Sequence, residues 1–451
     1  MKLKNVITAL LTAALTISVV SLSGCSDERI AENKVKITIW SNDRSEMDVR
    51  EKQINEFNAS HDDIEIVYEV KSDNYGDLIK VACESNTAPD IFTYNDAVVR
   101  AGYAKPFDED LENQLREEFL PGTLKKGADG KSYAVALKDT AIKFIWNKDL
   151  FREAGLDPEK PPISWDEVIS YAKTITAAGN GVKYGFALPF KDSVWSYYYI
   201  MIPSAVDGNF NYGGFDTKQN NYSFDCYKPM LEIARKLKDE NVLFPSPATL
   251  DNDTVRAQFA VGNIGMLIAE SWDVSVLNDQ FNAKCDWGVT DLPTVTGTKK
   301  GGYPFGYGGS AYSMYGKSSH EKEQKEVYKW LMSEEVLKEL SLAGKGPYTM
   351  RSLVGDEYVP EDVKGAKDFA KRTKPYVIID VIETPTLKLE GDNYEKAFAE
   401  AIISDKNFDE VINDLNTRYN EAYDKFKRTE IENGRDPERF HRPNYDYAKG
   451  E

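Results

Sequence analysis

One thiol, a scatter of carboxylates and a set of flat aromatic rings are the side chains in this 451-residue sequence with chemistry to offer. Cys25 closes the run Leu22-Ser23-Gly24-Cys25, after an apolar segment and ahead of strongly polar sequence. Cys83, Cys226 and Cys285 are odd in number and widely spaced, which argues against a disulfide framework and lacks the short paired spacings of a zinc site. Cys83 falls on the stripe Tyr75, Leu78, Ile79, Ala82, Cys83, whose i, i+3, i+4, i+7, i+8 spacing makes it a packed core thiol. His61, His320 and His441 are the only histidines, each in polar sequence and none within helical reach of another soft ligand. No twelve-residue loop of alternating oxygen ligands with a central glycine stands out. No cofactor and no metal-site residue is expected, and calcium in the acidic loops is left open. Asp43 or Asp96 opposite Glu270 would supply the two facing carboxylates of a glycan hydrolase. With 74 acidic residues in the chain, such pairings also arise by chance.

The elements around Cys25 address the chain. Lys2 and Lys4 form a positive n-region and Val6 to Val20 an apolar run, shorter than the ~20 residues of a spanning helix. The tetrapeptide resembles the lipobox of bacterial lipoproteins, which implies lipidation (palmitate) of the Cys25 sulfur and cleavage before it. The expected product is an extracytoplasmic protein on the cell membrane, held by its lipid. An ordinary secretory signal with an incidental cysteine would still export the chain. Loss of two lysines with residues 1–24 moves the formal charge from −18 to −20, so nucleic acid is not an expected partner. The 427 residues that remain suffice for two or three domains, and no second apolar run approaches membrane-spanning length.

Val35 to Trp40 alternates around Ile37 and Ile39 and stops at Ser41-Asn42-Asp43-Arg44, a strand and its turn. A helix over 46–58, a strand from Ile64 to Val70, a helix over 75–85 and a strand from Asp90 to Tyr94 follow. Strands alternating with helices imply an open, doubly wound α/β sheet, whose ligands bind at strand carboxyl ends. That rule aims the loops Ser41 to Arg44 and Asn95-Asp96 into one crevice. Tyr133 to Trp146, Gly185 to Phe190 and Ile264 to Ala269 read as strands of a second α/β unit, between helices such as 165–177 and 225–240. Gly306 to Tyr315 is extended and glycine-rich, fit for a hinge, and precedes an amphipathic helix around Val327, Trp330, Leu331 and Leu337. Asn393 to about Arg428 is helical and charged, and the polar tail beyond is expected to be poorly ordered.

Taken in order, KITIWSND at 36–43, INEFNASHDDIEIVYE at 54–69, APDIFTYND at 88–96, WNKDLFREAGLDP at 146–158, SWDEVISYAKTIT at 164–176, YGFALP at 184–189, FAVGNIGMLIAESW at 259–272, DWGVTDLP at 286–293 and EVYKWLMSEEVLKELSLAGKGPYTMRS at 326–352 resemble the extracellular solute-binding proteins of bacterial ABC importers, in the group that includes sugar- and maltodextrin-binding members. The resemblance implies two doubly wound α/β lobes joined by hinge strands, of the periplasmic-binding-protein type II. They would close on a ligand and present the closed form to a membrane permease. It divides the chain into a signal peptide at 1–24, a lipidated stalk at 25–34, lobe 1 at 35–137 and 311–346, and lobe 2 at 138–310 and 347–451, with crossings near 138–141, 307–311 and 346–348. Asn147, Lys148, Asp149 and Trp165 are implied to serve the scaffold. A monomer is expected.

Trp272 stands where sugar-binding relatives stack a pyranose face, and lobe packing is its alternative. Sugar recognition needs flat apolar faces and a planar polar rim. Asn42, Asp43, Arg44, Asp96 and Glu270 are the candidate rim, and Tyr94, Trp195, Trp272 and Tyr307 the candidate platforms. The run Trp195-Ser196-Tyr197-Tyr198-Tyr199 reads equally as one helix's packing face. Two departures from the family, Ala136-Leu137-Lys138-Asp139-Thr140 after Tyr133 and Glu270-Ser271 before Trp272, fall at expected cleft positions. Three functions follow. The first is a carrier delivering a mono- or oligosaccharide to an importer. The second is a tethered hydrolase. The third is a sensor for a membrane receptor, or a binder of another solute such as a peptide or phosphorylated metabolite. With Arg44 the one obvious cation among the candidates, a neutral sugar is favoured over a phosphate.

Overall fold

A computed structural model describes residues 34–71, 74–127, 129–192, 194–295, 297, 301–371, 376–378 and 384–447. Cys25, the signal segment and the stalk up to residue 33 lie outside them, as do the side chains of Phe305 and Tyr307. The strands, in chain order, are β1 (Val35–Ser41), β2 (Ile64–Val70), β3 (Ile91–Thr93), β4 (Ala104–Lys105), β5 (Leu124–Lys126), β6 (Ser132–Val135), β7 (Lys138–Asn147), β8 (Phe215–Asp216), β9 (Asn221–Tyr222), β10 (Met266–Glu270), β11 (Trp287–Thr290), β12 (Tyr303–Gly309), β13 (Tyr312–Tyr315) and β14 (Tyr376–Ile378).

They form two α/β lobes. The first sheet runs β2-β1-β3-β13-β4, with β1 parallel to β2 and β3, and β13 antiparallel to β3 and β4. Alternation in β1 sends Ile37 and Ile39 into the core, where Ile37 stands in register with Ile66. The helix Met47–Ser60 covers this sheet through Arg50, Gln53, Ile54 and Phe57, the i, i+3, i+4, i+7 face expected from its spacing. The second sheet runs β10-β7-β12-β14, and β11 also pairs with β7. All ten residues of β7 are buried, and its neighbours β10, β11 and β12 run antiparallel to it. Tyr348, Met350 and Leu353 pack into the first lobe's core, with Ile39 and Leu337.

Four expectations need correction. Gly185 to Phe190 makes only isolated bridges, Tyr184 to Ile264 and Phe186 to Leu243, and no strand. Gly185 lies so close to the helix Trp165–Ala178 that a Cβ would stand 2.2 Å from Ala172 Cα, and Pro189 has no N–H for a ladder. The single helix expected around 327–337 is two, Glu321–Leu331 and Glu334–Leu342. Leu78 is 45% exposed, whereas Cys83 of the same stripe is buried. The tail is docked: Phe440 and Tyr445 are buried and pack with the second lobe's core.

Candidate functional site

Three segments lie side by side where β7 begins. Lys138 stands opposite Gly309 of β12 on one side and Tyr348 on the other. Asp139 N–H donates to Pro347 O at 3.0 Å and Thr349 N–H to Leu137 O at 2.8 Å. The Lys138 side chain, 7% exposed, reaches from this crossing to the loop after β1. Its Nζ lies 2.8 Å from Asp43 Oδ2 and 2.6 Å from Glu46 Oε1. Arg50 Nε donates to Glu46 Oε2 at 2.9 Å and the Tyr348 hydroxyl to Glu46 Oε1 at 2.7 Å, while Ser310 and Ser45 donate to the two oxygens of Asp43. Burial alone would raise both carboxyls. Lys138 outweighs it and holds both below the usual carboxylate range. Asp43, expected at a sugar's rim, accepts here from Lys138, Ser310 and Ser45.

A matching cluster lies in the second lobe. Glu270, at the end of β10 and 3% exposed, pairs with Arg256 at 3.0 Å, and Arg256 Nε also pairs with Asp273 at 2.6 Å. The Glu270 N–H donates to Asp273 Oδ2 at 2.9 Å. Burial, with Asp273 beside it, pushes the Glu270 carboxyl well above the carboxylate range against the pull of Arg256. Glu270, also expected at the rim, is paired with Arg256 in this cluster.

Between these residues Trp272 is half-buried and opens the short helix Asp273–Ser275. Trp195, expected as a platform, is 1% exposed and meets Phe190 edge-on at 4.6 Å, so it belongs to the core. The rings left partly accessible are its neighbours. A π-helical turn over Tyr197–Met201 leaves Tyr197 and Tyr198 half-buried and turns Tyr199, Ile200 and Met201 inward. Tyr197 meets Tyr198 at 5.1 Å and Tyr212 at 6.1 Å, both edge-on. Tyr394 comes within 3.9 Å of where a Gly213 Cβ would stand. The aromatic run pointed to this region. Tyr212 and Tyr394 carry no local pattern that would have found them.

The two lobes touch at the crevice. Arg44 pairs with Asp253 at 2.9 Å, and Ser275 Oγ donates to Ser45 O at 3.4 Å, while the Ser275 N–H donates to Trp272 O. Lys345, nearly buried, binds Asp279 at 2.7 Å, Ser275 at 2.9 Å and Asp48 at 3.2 Å. The loop after β1 therefore lies against the segment that carries Trp272. Asn42 is exposed and its N–H donates to Thr93 Oγ1. Tyr94 donates to Asp96 at 3.3 Å, and Asp96 is exposed and paired with Arg100. Among the described residues, no three His, Cys, Asp or Glu side chains gather as a metal would need, and no helix is long and apolar enough to cross a membrane.

Residues 43–338 match the family model described as "Bacterial extracellular solute-binding protein". A maltotriose-binding protein of Pyrococcus abyssi is 28% identical over 68% of this chain and 65% of its own length. The melibiose/raffinose/stachyose-binding protein MelE of Bacillus subtilis is 22% identical over 80% of this chain and 85% of its own. The chain thus spans just under two thirds of the first of these relatives. Among solved structures, the GacH receptor of Streptomyces glaucescens, described with acarbose, superposes with a TM-score of 0.69 at 19% identity over 88% of this chain and 99% of its own. RafE in complex with raffinose gives 0.66 at 18% identity over 86% of this chain and all of its own. At these identities the superpositions show the fold.

Proposed function

The chain belongs to the bacterial extracellular solute-binding proteins, binding proteins and not enzymes that work outside the cytoplasm, and from that premise we propose that its solute is a carbohydrate handed to an ABC permease. One observation carries the reading: the partly accessible rings Tyr197, Tyr198 and Tyr212 meet edge-on in the second lobe, and Trp272, also partly accessible, opens the helix whose Ser275 donates to the loop after β1. Flat apolar faces suit the C–H side of a pyranose. Asn42, Tyr94 and Asp96 at the first lobe's strand ends supply polar groups for hydroxyls. Contacts from both lobes favour the closed form, so solute and closure are linked. Relatives named for maltotriose and for melibiose, raffinose and stachyose support the same class.

The division into lobe 1 (35–137, 311–346) and lobe 2 (138–310, 347–451) is retained as a proposal, with Tyr348 to Leu353 packed against lobe 1. Lipidation at Cys25, a monomeric state and Tyr307 as a ring of the crevice belong to the same reading. As a member of a family of binding proteins, the chain is read as a carrier and not as the tethered hydrolase.

A thermal-shift screen of the chain from Ser26 onward tests the reading, with mono- and oligosaccharides against amino acids, peptides and phosphorylated metabolites, and calorimetry on each hit. We expect a shift from one saccharide class, recovery of the sugar intact, and affinity lowered at least about tenfold in Trp272→Ala, a loss of stacking and buried area together. A response from the control solutes alone would move the function to a different ligand on the same fold.

A further inference from the structure

The last described segment of the chain closes over the second lobe. Gly434, at φ +68°, turns the chain back after the helix Phe408–Glu432, and Glu430 fixes the turn by accepting from Arg435 at 2.6 and 2.9 Å and from Arg439 at 2.5 Å. Arg439 lies over the Phe440 ring at 4.3 Å. Thr217, beside β8, donates through Oγ1 to Phe440 O at 2.6 Å and accepts at its carbonyl from Arg442 N–H at 2.7 Å. The strap ends on Tyr447, which meets Phe210 edge-on at 5.6 Å and receives the Lys218 ammonium over its ring at 5.1 Å.

From Tyr447 the ring contacts run without a break to the partly accessible Tyr198. Phe210 meets Tyr212 at 6.2 Å, Tyr212 meets Tyr197 at 6.1 Å, and Tyr197 meets Tyr198 at 5.1 Å. The loop that carries Phe210 and Tyr212 turns through Gly208, Gly213 and Gly214, at φ of 89°, 56° and 82°, and is pinned at its ends by Asn209 N–H to Ser204 O and Ser223 N–H to Gly214 O. Packing of the Phe210 and Tyr212 rings adds to that order, and a loop already ordered binds without the entropy cost of ordering.

We infer that the strap 435–447 is a positioning device for solute binding: Tyr447 holds Phe210, and through it the ring of Tyr212, in the conformation that binds. This rests on the carbohydrate reading for its ligand but not for its geometry. The test has two arms, calorimetry with glucose, maltotriose, raffinose and stachyose, and hydrogen exchange of amides 209–214 by mass spectrometry, on wild type, Tyr447→Ala and Tyr447→Phe. Tyr447→Ala should weaken binding of the longest saccharide bound by about three- to tenfold, the size of one aromatic pair. The unliganded protein should melt somewhat lower, as loss of a packed ring requires, exchange should rise at 209–214 more than elsewhere in the second lobe, and Tyr447→Phe should restore affinity and exchange. Unchanged affinity in Tyr447→Ala, or unchanged exchange at 209–214, overturns the inference. If wild type binds none of the four sugars, the carbohydrate reading fails on its own and the exchange arm alone decides this one.

Discussion

At the level of single residues, the crevice floor is governed by buried charge. Glu46 and Arg50 are fully buried and Lys138 nearly so, and removing one partner of such a pair leaves an uncompensated charge. Lys138→Met should cost about 3–5 kcal/mol in chemical denaturation, far more than an exposed lysine would. A loss below about 1 kcal/mol would show that water screens the site. The two clusters respond to pH with opposite sign. Asp43 and Glu46 are held low, so their stabilisation is complete above the unfolded carboxyl value of ~4 and is lost as pH falls toward their folded values. Glu270 is raised, so the fold favours its proton, and that contribution is full below ~4 and lost as pH rises through the folded value. Glu270→Gln should therefore flatten the fall in melting temperature on the alkaline side and leave the acid limb in place. A mutant curve parallel to wild type at every pH would contradict this. Only Glu46 and Arg50, at i and i+4, have a spacing that sequence can pair; Asp43 and Lys138 are 95 residues apart, and no periodicity links a loop to a strand across that distance.

Elements were more legible than partnerships, because period and turn chemistry are local. β1, β2 and the helix Met47–Ser60 stand where their spacing put them. Two departures have physical causes. In 195–199 the composition marked an aromatic face, but Trp195 is buried against Phe190 ahead of the π-helical turn, and within the turn Tyr197 and Tyr198 are left partly accessible. The tail beyond Arg428 is polar in composition, and charge alone suggests a solvated end. Its few rings nevertheless find a second-lobe surface, and Glu430 is satisfied by Arg435 and Arg439. Phe440, 2% exposed, should therefore behave as a core residue. Phe440→Ala is expected to cost about 3–5 kcal/mol, read from denaturant midpoints, and a cost within about 0.5 kcal/mol would mean the strap is loosely held in solution.

For the whole molecule, the contacts between lobes decide how far it closes without solute. Arg44 and Asp253 are each about half exposed, so salt should weaken their pair; Lys345 is 3% exposed among Asp279, Ser275 and Asp48 and is shielded from it. Unliganded protein should expand measurably in small-angle scattering between low salt and about 0.5 M, where the screening length falls well below the ~10 Å of 0.1 M. Lys345→Met should open it further than Arg44→Ala. An unchanged radius of gyration in both variants would mean that the hinge, and not these contacts, sets the unliganded geometry. The charged floor has another consequence. Asp43 and Glu46 are answered by Lys138 and Arg50, two of each sign, so this cluster balances its charge within the chain. On the proposed carbohydrate reading, the rings of the second lobe would be exchangeable without unbalancing it, which leaves the scaffold free to change its cargo while keeping its mechanics.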